Sequence, residues 1–200
     1  MALPCSLLLV PALLSAGSPR FDQLRDSAEP LGGLGAFLEK YVGECTGAVG
    51  PQCRSSSSAF RSGTRSKRFY MLVGEESSNV LSAGPFDAAL GEFTVQVTPF
   101  FSSGPYALTH GAPKKTDADG NPLLPLLRVR AKAPEDWNAA RVQRLIASRE
   151  FRVEVIFTPE DVWTLPRKHG GKIYGVKTRF QALQITHVRT GQVVALWEAR

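Results

Sequence analysis

The longest patterned part of the chain, residues 151–197, alternates apolar and polar positions with the period of two that is typical of β-strands. Residues 151–157 alternate apolar with mostly polar side chains, and residues 173–188 are rich in β-branched and aromatic side chains. The turn dipeptide Thr190-Gly191 then leads into the apolar run 192–197. The pattern predicts two long antiparallel strands followed by a shorter one.

The strand predicted over 173–188 changes face midway. Phe180 and Ala182 place apolar side chains on even positions, whereas Leu183 and Ile185 place them on odd positions. Because successive side chains on a strand point to opposite faces, a phase slip of one residue predicts a β-bulge or sharp bend near Ala182-Leu183. A strand that bends midway can serve two sheet faces or turn the corner of a barrel.

Two helices are predicted N-terminal to this stretch. One apolar stripe with helical spacing begins at Pro30 and continues to Val42, and a second begins at Pro134 and ends near Ser148. With the remaining alternating segments, the main predicted strands are 67–73, 92–98, 124–132, 151–158 and 173–188. The second helix therefore follows the third of these strands, which matches an OB-like order.

We therefore predict an α+β fold that is mainly antiparallel β. The first choice is a curled sheet or partly open OB-like barrel with one inserted helix plus an N-terminal helix. An open antiparallel sheet covered by two helices is the alternative.

The first seventeen residues have the pattern of a secretory signal peptide. Leu7–Leu14 is an apolar run too short to cross a bilayer as a helix, and the small residues Ser15 to Ser18 follow it. No Lys or Arg precedes the run, so a buried N-terminal strand or helix is the competing interpretation. We expect cleavage near Gly17 and export to the periplasm or the medium.

Cysteine content is consistent with export. Cleavage would remove Cys5 and leave Cys45 and Cys53, which flank a turn-rich segment. In an oxidising compartment we expect these two to form a disulfide worth about 2–3 kcal/mol, mostly by restricting the unfolded chain. Two free thiols are the alternative. The predicted organisation is a signal peptide (1–17), a helical, disulfide-stapled region with a basic Ser-rich loop (18–66) and a β-rich domain (67–200).

Charge adds a candidate surface. The formal net charge is +6, which permits attraction to anionic partners. Segment 54–68 is Ser-rich, with five basic residues and no acidic one, and is typical of a solvated loop. Basic side chains also alternate with apolar ones in the third strand. The predicted anion-binding residues are Arg61, Arg65, Lys67, Arg68, Arg128, Arg130 and Lys132. A weaker candidate is the loop containing Lys168, His169 and Lys172, for which a plain hairpin loop is the favoured interpretation.

Catalytic motifs do not emerge from the sequence. It contains no Gly-x-Ser-x-Gly, His-Glu-x-x-His or Cys-x-x-Cys motif, and each of its three His residues stands alone. We expect no cofactor or metal and no transmembrane segment. Specific nucleic-acid binding is not favoured, because no aromatic residues are interleaved with the basic run in a way that suggests base stacking.

Two classes of function remain. The first is an exported non-catalytic binding or structural module that acts on an envelope protein or other anionic partner. The second is an exported hydrolase whose active site forms only in three dimensions. A His within hydrogen-bond reach of an acid and a nucleophile in a concave pocket would favour the second.

Three short motifs carry a resemblance to a known family: Arg149 to Val155, Tyr174 to Lys177 and Thr190 to Val194. Through them, region 124–197 resembles the C-terminal part of an uncharacterised family of small exported bacterial proteins, a domain of unknown function. In that family a strand-helix-strand unit is followed by a hairpin. The resemblance covers little over a third of the chain; it implies export and a β-rich fold and carries no activity or site residues across.

Overall fold

The computed structural model describes most of the chain from Ser18 onwards. The described ranges are 18–43, 51–73, 80–97, 99–101, 105–116, 122–166 and 171–199. The predicted signal peptide, Lys168 and His169 lie outside them. Cys45 also lies outside, and only the backbone is described at Cys53, so their disulfide remains a prediction.

Helices and strands alternate irregularly along the chain. The helices are α1 Pro19–Asp26, α2 Leu34–Val42, α3 Pro51–Thr64 and α4 Ala139–Ala147. The strands are β1 Glu29–Pro30, β2 Phe69–Val73, β3 Leu81–Asp87, β4 Glu92–Val97, β5 Phe100–Phe101, β6 Tyr106–His110, β7 Lys115–Thr116, β8 Pro122–Leu123, β9 Leu127–Lys132, β10 Phe151–Pro166, β11 Lys172–His187 and β12 Val193–Glu198.

Ten of the strands in the described ranges form one sheet. Its order is β1-β2-β10-β11-β12-β9-β4-β3, with β6 attached to β11 and β5 to β6, while β7 and β8 form a separate pair. All pairings are antiparallel except β1 with β2 and β6 with β11. The predicted α+β class, mainly antiparallel, is therefore confirmed. The sheet does not close into a barrel, and four helices rather than two accompany it in the described ranges.

The β10–β11 hairpin contains the predicted irregularity. Ile156 pairs with Ala182 but the next residue, Phe157, pairs with Phe180, so Gln181 is an extra residue in β11. This bulge lies directly beside Ala182, where the phase slip predicted it, and the prediction is confirmed. A second shift leaves Glu160 as an extra residue in β10.

The bulge separates two halves of β11 that have different outer neighbours. Residues 174–178 pair in parallel with β6, whereas residues 182–186 pair in antiparallel with β12. At the junction the Phe180 N–H donates to Nδ1 of His110, the last residue of β6, at 3.2 Å. The pairing with β6 ends at Thr178, so the backbone N–H of Phe180 is satisfied by the His110 side chain and not by a strand carbonyl.

One face of the sheet carries the main core, which α2, α3 and α4 cover. The ring of Phe37 in α2 lies 5.3 Å from that of Phe69 in β2 and 6.1 Å from that of Phe157 in β10. Val142 and Leu145 bury one side of α4 in the same core. Each helix therefore contributes apolar side chains at helical spacing to a single cluster.

The Ser-rich segment is largely helical, which corrects the prediction of a solvated loop over 54–68. The ring of Phe60 in α3 packs edge-on against Phe37 and Tyr41 of α2, at 5.9 and 6.4 Å. Ser57 is only 5% exposed and faces Gly43, whose positive φ ends α2. Serine disfavours helix interiors only weakly, so burial of these side chains outweighs its local preference.

The opposite face of the sheet is covered in part by α1. Phe21 is fully buried and packs on Ile156 of β10 and Ala182 of β11. The N-cap residue Ser18 donates its hydroxyl to Oε1 of Glu198 in β12 at 2.8 Å. A short helix is thereby held against strands that lie far from it in the sequence.

Within the long β10–β11 hairpin, the backbone of β11 approaches a tryptophan side chain of β10 closely. Gly175 lies opposite Trp163 in the β10–β11 register, and a Cβ atom at Gly175 would overlap the indole ring. The indole Nε1 donates to Oγ1 of Thr109 at 3.0 Å, which holds the ring over the glycine.

We expect Gly175→Ala to destabilise the protein by about 1–3 kcal/mol in urea unfolding, because the indole must leave its position. Gly63→Ala is the matched control. A Cβ atom at Gly63 meets open space in α3, so the gain in helix propensity should stabilise the protein by up to about 1 kcal/mol. Equal effects of the two substitutions would contradict the packing of Trp163.

Candidate anion-binding face

Three of the predicted cations form a straight row on β9. Val129 and Ala131 are buried in the core, whereas Arg128, Arg130 and Lys132 alternate with them and are exposed. Alternate side chains on a strand lie about 7 Å apart, so the three charges are evenly spaced. We call this row, Arg128, Arg130 and Lys132, the basic face.

The neighbouring strand β4 supplies mostly polar neighbours to the basic face. In the register, Gln96 lies opposite Arg128, Thr94 opposite Arg130 and Glu92 opposite Lys132. Oε2 of Glu92 lies 3.5 Å from Nε of Arg130, whose side chain is nevertheless 81% exposed. An ion pair this exposed contributes little, and Arg128 and Lys132 have no ion pair with any residue of the described ranges.

Three cations of the second predicted set contact other elements of the fold, although Arg65 and Lys67 remain exposed. Arg65 Nη2 lies 2.7 Å from Oδ1 of Asp161, and Lys67 Nζ lies 2.8 Å from Oε1 of Glu29. Arg68 donates to the side chains of Gln181 and Ser27. These contacts join the end of α3 and the start of β2 to other parts of the fold.

The structure does not bring the two sets together. Arg61 is half-buried in the last turn of α3, which packs on the core side of the sheet, whereas the basic face points away from the core. Lys172 is exposed at the start of β11, and the rest of its loop is not described. The basic face is therefore the part of the predicted surface in which three exposed cations, two of them without an ion pair in the described ranges, lie on one strand.

An open cavity adjoins the basic face at the β3–β4 hairpin. The register shifts between Ala83 and Phe86, and a cavity of about 520 Å³ lies beside this bulge. Pro85, Phe86 and Leu90 provide apolar lining, and Arg130 borders it. Sequence reasoning missed this cavity because none of the five main predicted strands covers β3.

A buried polar cluster, also missed, lies on the sheet face that α1 covers in part. Glu154 in β10 is 5% exposed; its Oε1 accepts the Tyr70 hydroxyl at 2.7 Å and its Oε2 accepts Nε2 of Gln184 at 3.2 Å. Nε of Arg152 lies 3.7 Å from the same carboxylate. Burial, together with the hydrogen bond to Glu154, raises the pKa of Tyr70 to about 12. In the sequence, the only sign of this cluster is Glu154, an acidic residue at a polar position of the predicted strand 151–158.

One of the histidines lies beside both a hydroxyl and a carboxylate. His187 is 4% exposed, and its Nδ1 lies 2.9 Å from Oγ1 of Thr190. Its Nε2 lies 3.8 Å from Oε2 of Glu150, beyond hydrogen-bond distance, and Arg189 Nε approaches that oxygen to 2.6 Å. The carboxylate is thus engaged mainly by the arginine.

The other histidine that is described is structural in its contacts. His110 stacks on the ring of Phe180 with 4.9 Å between centroids, and Trp197 packs edge-on against it at 5.6 Å. Burial lowers the pKa of His110, which favours the neutral ring whose Nδ1 accepts the Phe180 N–H.

The described ranges contain neither a metal-binding cluster nor a membrane-spanning helix. They contain no group of three or more His, Cys, Asp or Glu side chains that could hold a metal ion. Their helices are also too short or too polar for any of them to cross a membrane.

The fold and the site define an α+β domain built on one open, mainly antiparallel sheet that carries an exposed row of cations. The chain belongs to a family of unknown function (DUF6066), whose family model matches residues 1–200. Membership of an uncharacterised family is therefore confirmed, and the match extends well beyond the C-terminal motifs that suggested it. No curated protein and no solved structure matches the chain.

The buried cluster predicts a pH-dependent stability. We expect Tyr70→Phe to cost about 1–3 kcal/mol near pH 8, because it leaves a buried carboxylate oxygen without its donor. The pKa of Tyr70 is raised from 10.0 to about 12, so the stability that the protonated phenol contributes is fully present below pH 10 and is lost as the pH rises through 12.

Urea unfolding at a series of pH values measures this difference. The wild-type free energy of unfolding should fall more steeply than that of Tyr70→Phe between about pH 10 and 12. As a control at pH 8, Tyr41→Phe should cost less, because that hydroxyl donates to the carbonyl oxygen of Glu160 and not to a carboxylate. If the free energies of unfolding of the wild type and of Tyr70→Phe changed in parallel with pH, the result would contradict the hydrogen bond between Tyr70 and Glu154.

Proposed function

We propose that this protein is an exported, non-catalytic binding module that engages an anionic partner, such as an envelope protein, through the basic face. The observation that carries the proposal is the row of three exposed cations on one rigid strand. Two of these side chains have no ion pair in the described ranges, so binding an anion there breaks no strong contact. The net charge of +6 adds a general attraction to anionic partners.

The alternative, an exported hydrolase, has the His187 arrangement in its favour. In an acyl-transfer triad the imidazole bridges a nucleophile and an acid through its two nitrogens. Here the acid, Glu150, lies beyond hydrogen-bond distance of His187 and is paired with Arg189. The Thr190 hydroxyl also accepts the N–H of Gln192 within the turn. These contacts close the β11–β12 connection, and the geometry supports binding better than hydrolysis.

Charge reversal separates the two cationic sets. We expect Arg128→Glu/Arg130→Glu/Lys132→Glu to elute from a sulfonated or heparin matrix at clearly lower salt than the wild type. The matched variant is Arg65→Glu/Lys67→Glu/Arg68→Glu. Both triple substitutions replace three positive by three negative charges and so remove six from the net charge of +6, but only the first removes the row.

The matched variant should shift elution less and lower the melting temperature more, because it breaks the contacts with Asp161, Glu29 and Gln181. Elution of the two variants at the same salt concentration would mean that net charge alone controls retention. That result, or unchanged elution of the first variant, would overturn the proposed role of the basic face.

Export is tested by the mass of the protein after expression of the full chain in a bacterial host. The proposal rests on the apolar run Leu7–Leu14 and the small residues that follow it. We expect the periplasmic or secreted form to begin near Ser18, whereas a variant with Leu9→Arg/Leu13→Arg should remain in the cytoplasm at full length. An intact Met1 on the exported protein would refute the cleavage.

A further inference from the structure

We propose that the partner of the basic face is an acidic peptide segment of another protein, and that an apolar side chain of this segment enters the cavity of the β3–β4 hairpin. This inference rests on the proposed function and names the class of its partner. It combines two features that share one residue, since Arg130 belongs to the row of cations and also borders the cavity.

The spacing of the row suits an extended peptide. The cations lie on one side of a single strand, about 7 Å apart, and alternate side chains of an extended peptide repeat at the same distance. Two of the three cations are arginines, whose planar guanidinium groups can bind carboxylates through two parallel hydrogen bonds. A segment with acidic residues at every second position can therefore contact the row without bending.

The cavity supplies the apolar part of the site. Its volume of about 520 Å³ exceeds that of one large side chain, and it is open to solvent at the edge of the sheet. Leu90 on its border is 64% exposed, which leaves an apolar surface next to the charges. Covering such a surface on binding is favourable, and one buried apolar side chain contributes roughly 1.5–3 kcal/mol.

The acidic residues of the cavity distinguish a peptide from other anionic partners. Asp87 and Glu92 line the cavity, and Glu92 also lies opposite Lys132 and 3.5 Å from Arg130. A lipid surface or a nucleic acid backbone would bring negative charge towards both of them, which is unfavourable. A peptide can place carboxylates on the row and an uncharged side chain beside Asp87 and Glu92, so that its charge pattern complements that of the protein.

Fluorescence anisotropy with the full chain tests the inference. The probe is a labelled peptide of about twelve residues in which Glu and Ser alternate and one Glu near the centre is replaced by Phe, so that the Phe side chain lies on the same side as the remaining Glu side chains. The anchorless probe has Ser at that position and the same net charge. We expect the Phe probe to bind more tightly, and Leu90→Ser to weaken the Phe probe by about tenfold while leaving the anchorless probe unchanged. The triple charge reversal of the basic face should weaken both probes, and Arg144→Glu on α4, an exposed arginine away from the face, should weaken neither.

The outcomes separate this inference from the proposed function. Equal binding of the two probes, or tighter binding of phosphatidylglycerol vesicles or of a single-stranded oligonucleotide than of the Phe probe, would overturn the peptide inference. With either result, the proposed role of the basic face in binding anions would still hold if its charge reversal weakened binding of the anionic ligands. Failure of all these ligands to bind, or binding unaffected by the charge reversal, would overturn both.

Discussion

The sheet depends on the extra residue Gln181 in β11. Because an inserted residue bends and twists a strand, the two halves of β11 can pair with different neighbours while both remain paired with β10. The first half holds β6, and the second half holds β12 and, through it, β9. Side-chain hydrogen bonds also stabilise the bulge, since Oε1 of Gln181 accepts a hydrogen bond from Nε of Arg68 and its Nε2 donates one to Oγ1 of Thr158. The strand that carries the basic face, β9, is thus connected through β12 to the half of β11 that follows the bulge.

Contacts within the fold engage several of the charged side chains in the described ranges. Glu154 is buried, and a buried carboxylate requires donors, which Tyr70 and Gln184 supply from the two neighbouring strands. At the end of α3, Arg65 and Lys67 reach acidic groups on other elements. These contacts link helices and strands that are distant in the sequence.

The basic face differs because its charges lie on the outward side of a strand whose inward side is anchored in the core. Val129 and Ala131 hold β9 against the core, so the cations between them are held in a fixed row. A rigid row loses less backbone entropy on binding than a mobile loop would. This is the physical reason why the proposed recognition involves β9, whereas the Ser-rich segment, the other predicted basic site, is largely helical and packs on α2 through Phe60.

Alternation by itself determined most of β9, half of β10, nearly all of β11 and the position of the bulge, because a period of two follows from local strand geometry. Tertiary structure decided the rest. Burial of Phe60 made the Ser-rich segment helical, and the second bulge at Glu160 allowed β10 to continue past Pro159. Which of the predicted cations are free depended on Asp161, 96 residues from Arg65, and on Glu29, 38 residues from Lys67. A charge pattern read along the chain shows which side chains are charged, but only the folded chain brings their distant partners to them.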